Sequence, residues 1–160
     1  MPLKIHSYDP AWVARVRAGG PDDYGHPAER GISDGTGNPC RSCLTMIPAG
    51  KDMLIAAARP FPQTQPYAET GPVFFCAEDC VPYEGTAMPP CVAGGEERLL
   101  KGYTPDNRIL YGTGTIVPPA DIAASCEDIL SDGKVAFVDV RSSRNNCFTF
   151  RVTRADNSWF

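Results

Sequence analysis

The sequence predicts an α+β fold, a mostly antiparallel β-sheet with about two short helices. Six apolar, β-prone runs are separated by turn residues, whereas only two segments have the spacing of an amphipathic helix. These strands and helices do not alternate regularly, as they would in a doubly wound parallel fold. A length of 160 residues suffices for one hydrophobic core, so we expect a single domain over residues 1–160.

The first predicted element is a short helix close to the N-terminus. Asp9 is suited to cap it, Pro10 is suited to its first turn, and Gly19 and Gly20 are expected to end it. Its apolar residues share one face, which should pack against the rest of the domain: Trp12, Val13 and Val16. The segment that follows, residues 21–52, is loop-rich and carries the first pair of cysteines.

Six strands are predicted after this loop, each an apolar run bounded by turn residues. They cover residues 53–59, 72–77, 98–103, 108–117, 135–141 and 147–153. Gly112 and Gly114 in the fourth run are interpreted as strand glycines or a bulge, because a nucleotide-binding fingerprint needs a third glycine and a following helix. A second helix is predicted over residues 118–130, where Ile122, Cys126, Ile129 and Leu130 fall on one apolar stripe.

Composition excludes two classes of partner. The net charge is −4, and the 15 lysines and arginines are scattered singly, so the basic patch of a nucleic-acid-binding protein is missing. The apolar runs are too short to span a bilayer, and the N-terminal residues do not resemble a signal peptide. We therefore expect no nucleic-acid partner, no membrane association and a cytoplasmic location.

Four of the seven cysteines form two closely spaced pairs. Cys40 and Cys43 are three residues apart, and Cys76 and Cys80 are four residues apart. A zinc ion binds four thiolates at about 2.3 Å, and a pair with such spacing can reach one ion from a single turn. The sequence therefore predicts a Zn²⁺ site of four cysteines. With four protein ligands no position is open to water, so the metal would be structural.

Two other interpretations of these thiols stay open. Unpaired cysteines are often small buried residues without further function. A redox role would need Cys40 at the N-terminus of a long helix, and Pro48, five residues after Cys43, argues against such a helix. Of the remaining cysteines, Cys126 is expected in the core.

A second polar cluster, the Arg-Asn corner, follows the fifth predicted strand and comprises Arg141, Arg144, Asn145 and Asn146. Guanidinium and carboxamide groups suit the binding of an anion or carboxylate, so an acidic small molecule is the predicted ligand. The cationic surroundings would also favour a thiolate at Cys147. The alternative is a hairpin turn in which the asparagines adopt left-handed angles and the arginines pair with surface acids such as Asp139.

Glu69 is a candidate general base, because it stands in the polar stretch Gln65 to Pro72 before the strand that carries Cys76. The other interpretation of this stretch is a rigid turn. An alternative function for the whole protein is therefore a thiol-dependent enzyme or redox protein that uses Cys147 or Cys40.

Four sequence stretches together resemble an uncharacterised bacterial family, the domain of unknown function DUF1203. They are GNPCRSCL, RPFPQTQPYAETGPVFF, DNRILYGTGTIV and VRSSRNNCF, and the resemblance extends over residues 21–154. It implies a family but no activity. In the family pattern, histidine is more usual at the positions of Cys76 and Asp139. Since cysteine and histidine both bind zinc, the exchange at Cys76 favours a metal ligand there.

Overall fold

Two antiparallel sheets and two short helices make up the computed structural model, which describes residues 1–157. In chain order the strands are β1 Leu3–His6, β2 Glu29–Ile32, β3 Asp52–Ala58, β4 Gly71–Cys76, β5 Glu84–Gly85, β6 Arg98–Tyr103, β7 Thr115–Val117, β8 Phe137–Ser142 and β9 Phe148–Arg154. The α-helices are α1 Pro10–Arg17 and α2 Ile122–Leu130. The predicted α+β class is therefore confirmed.

The larger sheet has six strands in the order β5-β1-β9-β8-β6-β7, and the smaller has three in the order β2-β3-β4. Every strand pairing is antiparallel. The hairpin of β8 and β9 lies in the middle of the larger sheet and has a register shift between Val140 and Arg141. This hairpin carries the Arg-Asn corner in its connection, so the corner lies at one end of the central strands.

Both helices pack as their sequences predict, but α2 begins at Ile122 rather than at the predicted residue 118, because Pro119–Asp121 form a 3-10 turn. The Asp9 carboxylate accepts a hydrogen bond of 3.0 Å from the backbone N–H of Ala11, which caps α1. The predicted apolar face of α1 is buried against the smaller sheet, and that of α2 against the larger one. No helix in the described part of the chain is long and apolar enough to cross a membrane.

The predicted strands differ from the structure mainly in one run. Only Thr115–Val117 of the predicted strand 108–117 pairs as a strand. Before it, Ile109 forms only an isolated bridge to Tyr103, and Tyr111 and Gly112 form a turn in which Gly112 has a φ of +97°. The sequence pattern also missed β1, β2 and β5. These strands have two to four residues and little apolar alternation, so they form because a neighbouring strand pairs with them.

The sheets are joined through buried arginines as well as apolar contacts. Arg151, in β9, donates from Nε to Asp139 Oδ1 at 2.7 Å and from Nη2 to the Pro60 carbonyl at 2.8 Å. Its guanidinium carbon lies 3.8 Å from the centre of the Phe137 ring. Arg151 and Asp139 are both completely buried, so each charge depends on the other for compensation.

We predict that Arg151→Met lowers the free energy of unfolding by about 3 to 5 kcal/mol, because it removes both hydrogen bonds to the buried Asp139 carboxylate and leaves it only the more distant Arg141, at 3.7 Å. Urea unfolding at pH 7 measures the change. Arg144→Met is the matched control, since the exposed pair of Arg144 and Glu96 should contribute only about 0 to 1 kcal/mol. Equal effects of the two substitutions would contradict the assigned role of the buried pair.

Candidate metal centre and the Arg-Asn corner

The four predicted cysteines meet at one place. The Sγ atoms of Cys40, Cys43, Cys76 and Cys80 all lie within 4.8 Å of one another. Those of Cys40 and Cys80 are 3.8 Å apart, which equals the edge of a tetrahedron with metal–sulfur distances of about 2.3 Å. All seven cysteines of the chain lie among the described residues, and none forms a disulfide. The arrangement can hold one metal ion between two segments of the chain.

The first pair is carried by a tight turn, Cys40 to Thr45. Its backbone is closed by two hydrogen bonds of 2.9 Å, from Cys40 N–H to the Thr45 carbonyl and from Leu44 N–H to the Cys40 carbonyl. Leu44 has a φ of +56°, a left-handed conformation that is unusual for a leucine, and its side chain is completely buried. The burial of Leu44 thus holds the turn that brings both thiols to the same side.

The second pair lies at the end of β4. Cys76 is the last residue of this strand and pairs with Met53 of β3, while Cys80 follows in the next loop. The backbone N–H of Cys76 lies 3.3 Å from Cys40 Sγ, and the Thr45 hydroxyl lies 3.0 Å from Cys43 Sγ. Hydrogen bonds of this kind orient metal-binding thiolates and reduce their charge.

Arg17 belongs to this site, although the sequence analysis did not identify it. From the last turn of α1 it donates from Nη2 to Cys80 Sγ at 3.1 Å and from Nε to the Cys76 carbonyl at 3.0 Å. Asp79 is a more distant partner, at 3.8 Å and fully exposed. The partners of Arg17 are separated from it by 59 and 63 residues, so no local pattern could reveal the contact.

The thiols shift one another's acidity because they are in contact. Contact with Cys43 raises the pKa of Cys40 to about 11, and contacts with Cys40 and then Cys43 raise the pKa of Cys76 strongly. Contacts with the same two neighbours, Cys40 and then Cys76, lower the pKa of Cys43 well below its usual range. The group therefore holds one negative charge readily and resists the next, as expected of like charges close together. A bound divalent cation would stabilise the further thiolates and so allow all four thiols to lose their protons.

The other cysteines lie outside this cluster. Cys126 lies on the buried face of α2 and is part of the core, as predicted. Cys91 is buried in a short 3-10 helix, Pro90–Val92. Cys147 is half-buried, and its Sγ lies 3.7 Å from the Asn145 carbonyl. Within residues 1–157 no histidine or carboxylate contacts its sulfur through a hydrogen bond. Its reactivity stays a prediction.

The Arg-Asn corner is arranged around a carboxylate of the protein itself. Glu69 Oε2 accepts from Asn146 Nδ2 at 2.8 Å and lies 3.4 Å from Arg141 Nη1. Its other oxygen accepts from Lys101 Nζ at 2.7 Å. Asn146 has a φ of +58°, the left-handed angle expected for a hairpin turn. Binding of an external carboxylate here stays a prediction, and it would require that Glu69 be displaced.

The remaining members of the corner do not join this contact. Arg144 points outward, with a side chain that is 76% exposed, and it lies 3.8 Å from Glu96. Asn145 shares with Glu69, Arg141 and Asn146 the lining of a cavity of about 220 Å³. Asp139, by contrast, is buried below the corner and pairs with Arg151 instead of lying near the metal-binding thiols.

The acidity of Glu69 is set by these partners. Burial acts to raise its pKa, but the hydrogen bond from Lys101 and the charges of Arg141 and Lys101 outweigh burial, so the pKa lies below its ordinary value of 4.5. A carboxylate that is so well compensated is a poor proton acceptor at neutral pH, which disfavours the predicted role as general base. That role has no direct test in the structure.

We predict that Glu69→Gln removes a contribution to stability that depends on pH. Because the pKa is lower in the folded protein, the contribution is complete above about pH 4.5 and is lost as the pH falls below that value. The Glu69 side chain is 35% exposed, so screening limits the effect to about 1 kcal/mol. Urea unfolding at pH 7 and pH 3.5 should show the wild type and the variant differing at the higher pH and converging at the lower. The exposed Glu97→Gln is the control, and a difference that does not depend on pH would contradict the assignment.

Comparison with known protein families shows which family the chain belongs to. The sequence matches the family described as protein of unknown function (DUF1203) over residues 37–154, which is more than half of its length. The match begins later than the expected residue 21, at Gly37, where the first sequence motif starts, and it includes both cysteine pairs and the Arg-Asn corner. Comparisons with the curated proteins and with the solved structures found no match. The chain thus belongs to the DUF1203 family of unknown function.

Proposed function

We propose that Cys40, Cys43, Cys76 and Cys80 bind one zinc ion and that this ion stabilises the fold rather than performing catalysis. The observation that carries the proposal is the meeting of four Sγ atoms, from two separate segments, within 4.8 Å. Thiolates select zinc over the harder cations, which prefer oxygen ligands. Four protein ligands complete a tetrahedron and leave no position for a reactive water.

The ion would join three parts of the protein. It would tie the turn Cys40 to Thr45 to the end of β4, and Arg17 would attach α1 to the same centre. Zinc with four thiolates carries a charge of −2, so the guanidinium of Arg17 and the N–H of Cys76 would stabilise it by donating to sulfur. Metal-bound thiolates need a reducing compartment, which supports a cytoplasmic location.

The alternative, a thiol-dependent enzyme, has one observation in its favour. Cys147 lines two neighbouring cavities, so a ligand in either of them would contact its side chain. Cys40 suits this role less well, because it is completely buried and its thiol contacts Cys80. Cys147 is therefore the residue to which a catalytic proposal would be attached.

We predict about one zinc ion per chain in protein purified without chelator, measured by plasma emission. Cys40→Ser and Cys76→Ser should both lose the metal, since a structural site requires all four ligands. Loss of a structural zinc removes binding energy that stabilises only the folded state, so both variants should also unfold at a lower temperature. Cys147→Ser is the matched control and should keep the metal.

Two results would contradict the proposal. One is metal-free wild-type protein in which the four thiols titrate as free cysteines. The other is retention of zinc by both Cys40→Ser and Cys76→Ser, which would place the ion elsewhere in the chain.

We further predict that Arg17→Gln weakens zinc binding by about 10-fold to 100-fold, the usual effect of removing a group that hydrogen-bonds a metal ligand. Competition with a chromophoric chelator measures the affinity. Arg15→Gln, two residues earlier on the exposed side of α1, is the control and should leave it unchanged. Equal affinities of the Arg17 variant and the wild type would show that Arg17 does not act on the metal.

A further inference from the structure

A second cavity, of about 410 Å³, lies on the other side of the cysteine turn. It is enclosed by that turn, by the residues that lead into β6 and by the hairpin of β8 and β9. Apolar walls are provided by Met46 and Phe74. Polar side chains complete the lining: Arg41, Arg98, Ser142, Asn145, Cys147 and Thr149. Its volume lies in the range of small-molecule sites, and its largely polar lining suits a polar or charged ligand.

Arg98 is buried in this wall without a counter-ion. The residue is 7% exposed, and Nη2 donates to the Cys91 carbonyl at 3.3 Å. Its Nε atom is enclosed and has no hydrogen-bond partner within residues 1–157. As the first residue of β6 it pairs with Val117 of β7 and Ser142 of β8, so its backbone is fixed on both sides. The charge of this guanidinium is therefore buried without an opposite charge, which is costly unless a bound anion compensates it.

Arg41 is the second buried guanidinium of this cavity. It is 3% exposed, and it donates from Nε to the Phe148 carbonyl and from Nη1 to the Pro39 carbonyl, both at 2.7 Å. These acceptors are neutral, and no carboxylate within residues 1–157 forms a salt bridge with it. Two cations therefore line one cavity and repel each other.

The other buried arginines among the described residues, unlike Arg41 and Arg98, each lie against a carboxylate. Arg151 is paired with Asp139, and Arg141 lies against both Asp139 and Glu69. The one carboxylate in the lining of the second cavity is Glu96, whose side chain is 57% exposed and lies 3.8 Å from Arg144. Glu96 thus lies at the rim of the cavity and does not compensate the buried charges of Arg41 and Arg98.

We propose that this cavity binds a small organic oxyanion, a carboxylate or a phosphate ester, through Arg41 and Arg98. The guanidinium groups supply donors for the anionic oxygens, and each has nitrogens that the described residues leave unused. Asn145 and Thr149 can hydrogen-bond the remainder of the ligand, and the apolar walls can contact its carbon atoms. A bound ligand covers Cys147 from this side.

The site shares Asn145 with the Arg-Asn corner but uses other cations, because Glu69 already occupies the donors of Arg141 and Asn146. The ligand is again an acidic small molecule, as predicted. The arginines that bind it are Arg41 and Arg98 instead of Arg141 and Arg144. The proposal is also separate from that of zinc, because Arg98 contacts none of the four metal-binding cysteines through a hydrogen bond. Metal content can therefore be measured independently of anion binding.

The test uses isothermal titration of the full chain with inorganic phosphate and with malonate, at constant ionic strength in a buffer without oxyanions. The wild type should bind at least one of the two, and the tighter one identifies phosphate or carboxylate as the preferred group. Arg98→Gln should bind about 10-fold to 100-fold more weakly, as expected when a charged donor is removed. Arg144→Gln is the matched control: it is an arginine at the rim outside the cavity lining, and it should bind as the wild type does.

A second measurement, of the wild type alone, keeps the proposal testable even where Arg98→Gln does not fold. Alkylation of Cys147 by iodoacetamide, followed at the peptide level by mass spectrometry, should be slowed several-fold by a saturating anion.

Arg98→Lys, which keeps the charge but loses the planar fork, should bind more weakly than the wild type. Absence of binding of both anions to the folded protein would overturn the proposal. So would equal affinity of Arg98→Gln and the wild type.

Discussion

The turn from Cys40 to Thr45 is the constraint on which the rest of the structure depends. Its left-handed Leu44 and two short backbone hydrogen bonds turn Cys40 and Cys43 towards the end of β4. Arg41, between the two cysteines, reaches the carbonyl of Phe148 in the larger sheet. One short segment thus contributes half of the metal-binding thiols and a bond between the two sheets. A metal ion at the thiols would fix the turn, and thereby the distance between the sheets.

Charge compensation explains how so many ionic groups can be buried. Asp139 neutralises Arg151, and Glu69 neutralises Arg141. These pairs satisfy the requirement that a buried charge be matched by an opposite one. Only at the cavity beside the cysteine turn, among the described residues, do two buried cations lack such a partner. The exception has the character of a binding site, because a ligand can supply the missing charge.

The helices and strands could be predicted where the sequence pattern that specifies them lies within a few neighbouring residues. The helices and five of the six predicted strands depend on runs of apolar residues and on caps such as Asp9, which can be recognised within a few residues. The strands β1, β2 and β5 were missed because they are short and their pairing depends on distant neighbours. The predicted strand 108–117 was wrong for most of its length, because Ile109 forms only an isolated bridge to Tyr103 and the chain then turns at Tyr111 and Gly112.

The sequence by itself determined the α+β class and the two cysteine pairs, because residues three or four apart necessarily share one turn. Only the tertiary structure decided that the pairs meet, that Arg17 joins them and that Glu69 occupies the Arg-Asn corner. These contacts bridge 36 to 77 residues, and a single sequence carries no periodicity over such a distance. They arise from packing two sheets together, which forces each buried charge to find a partner wherever the fold places one.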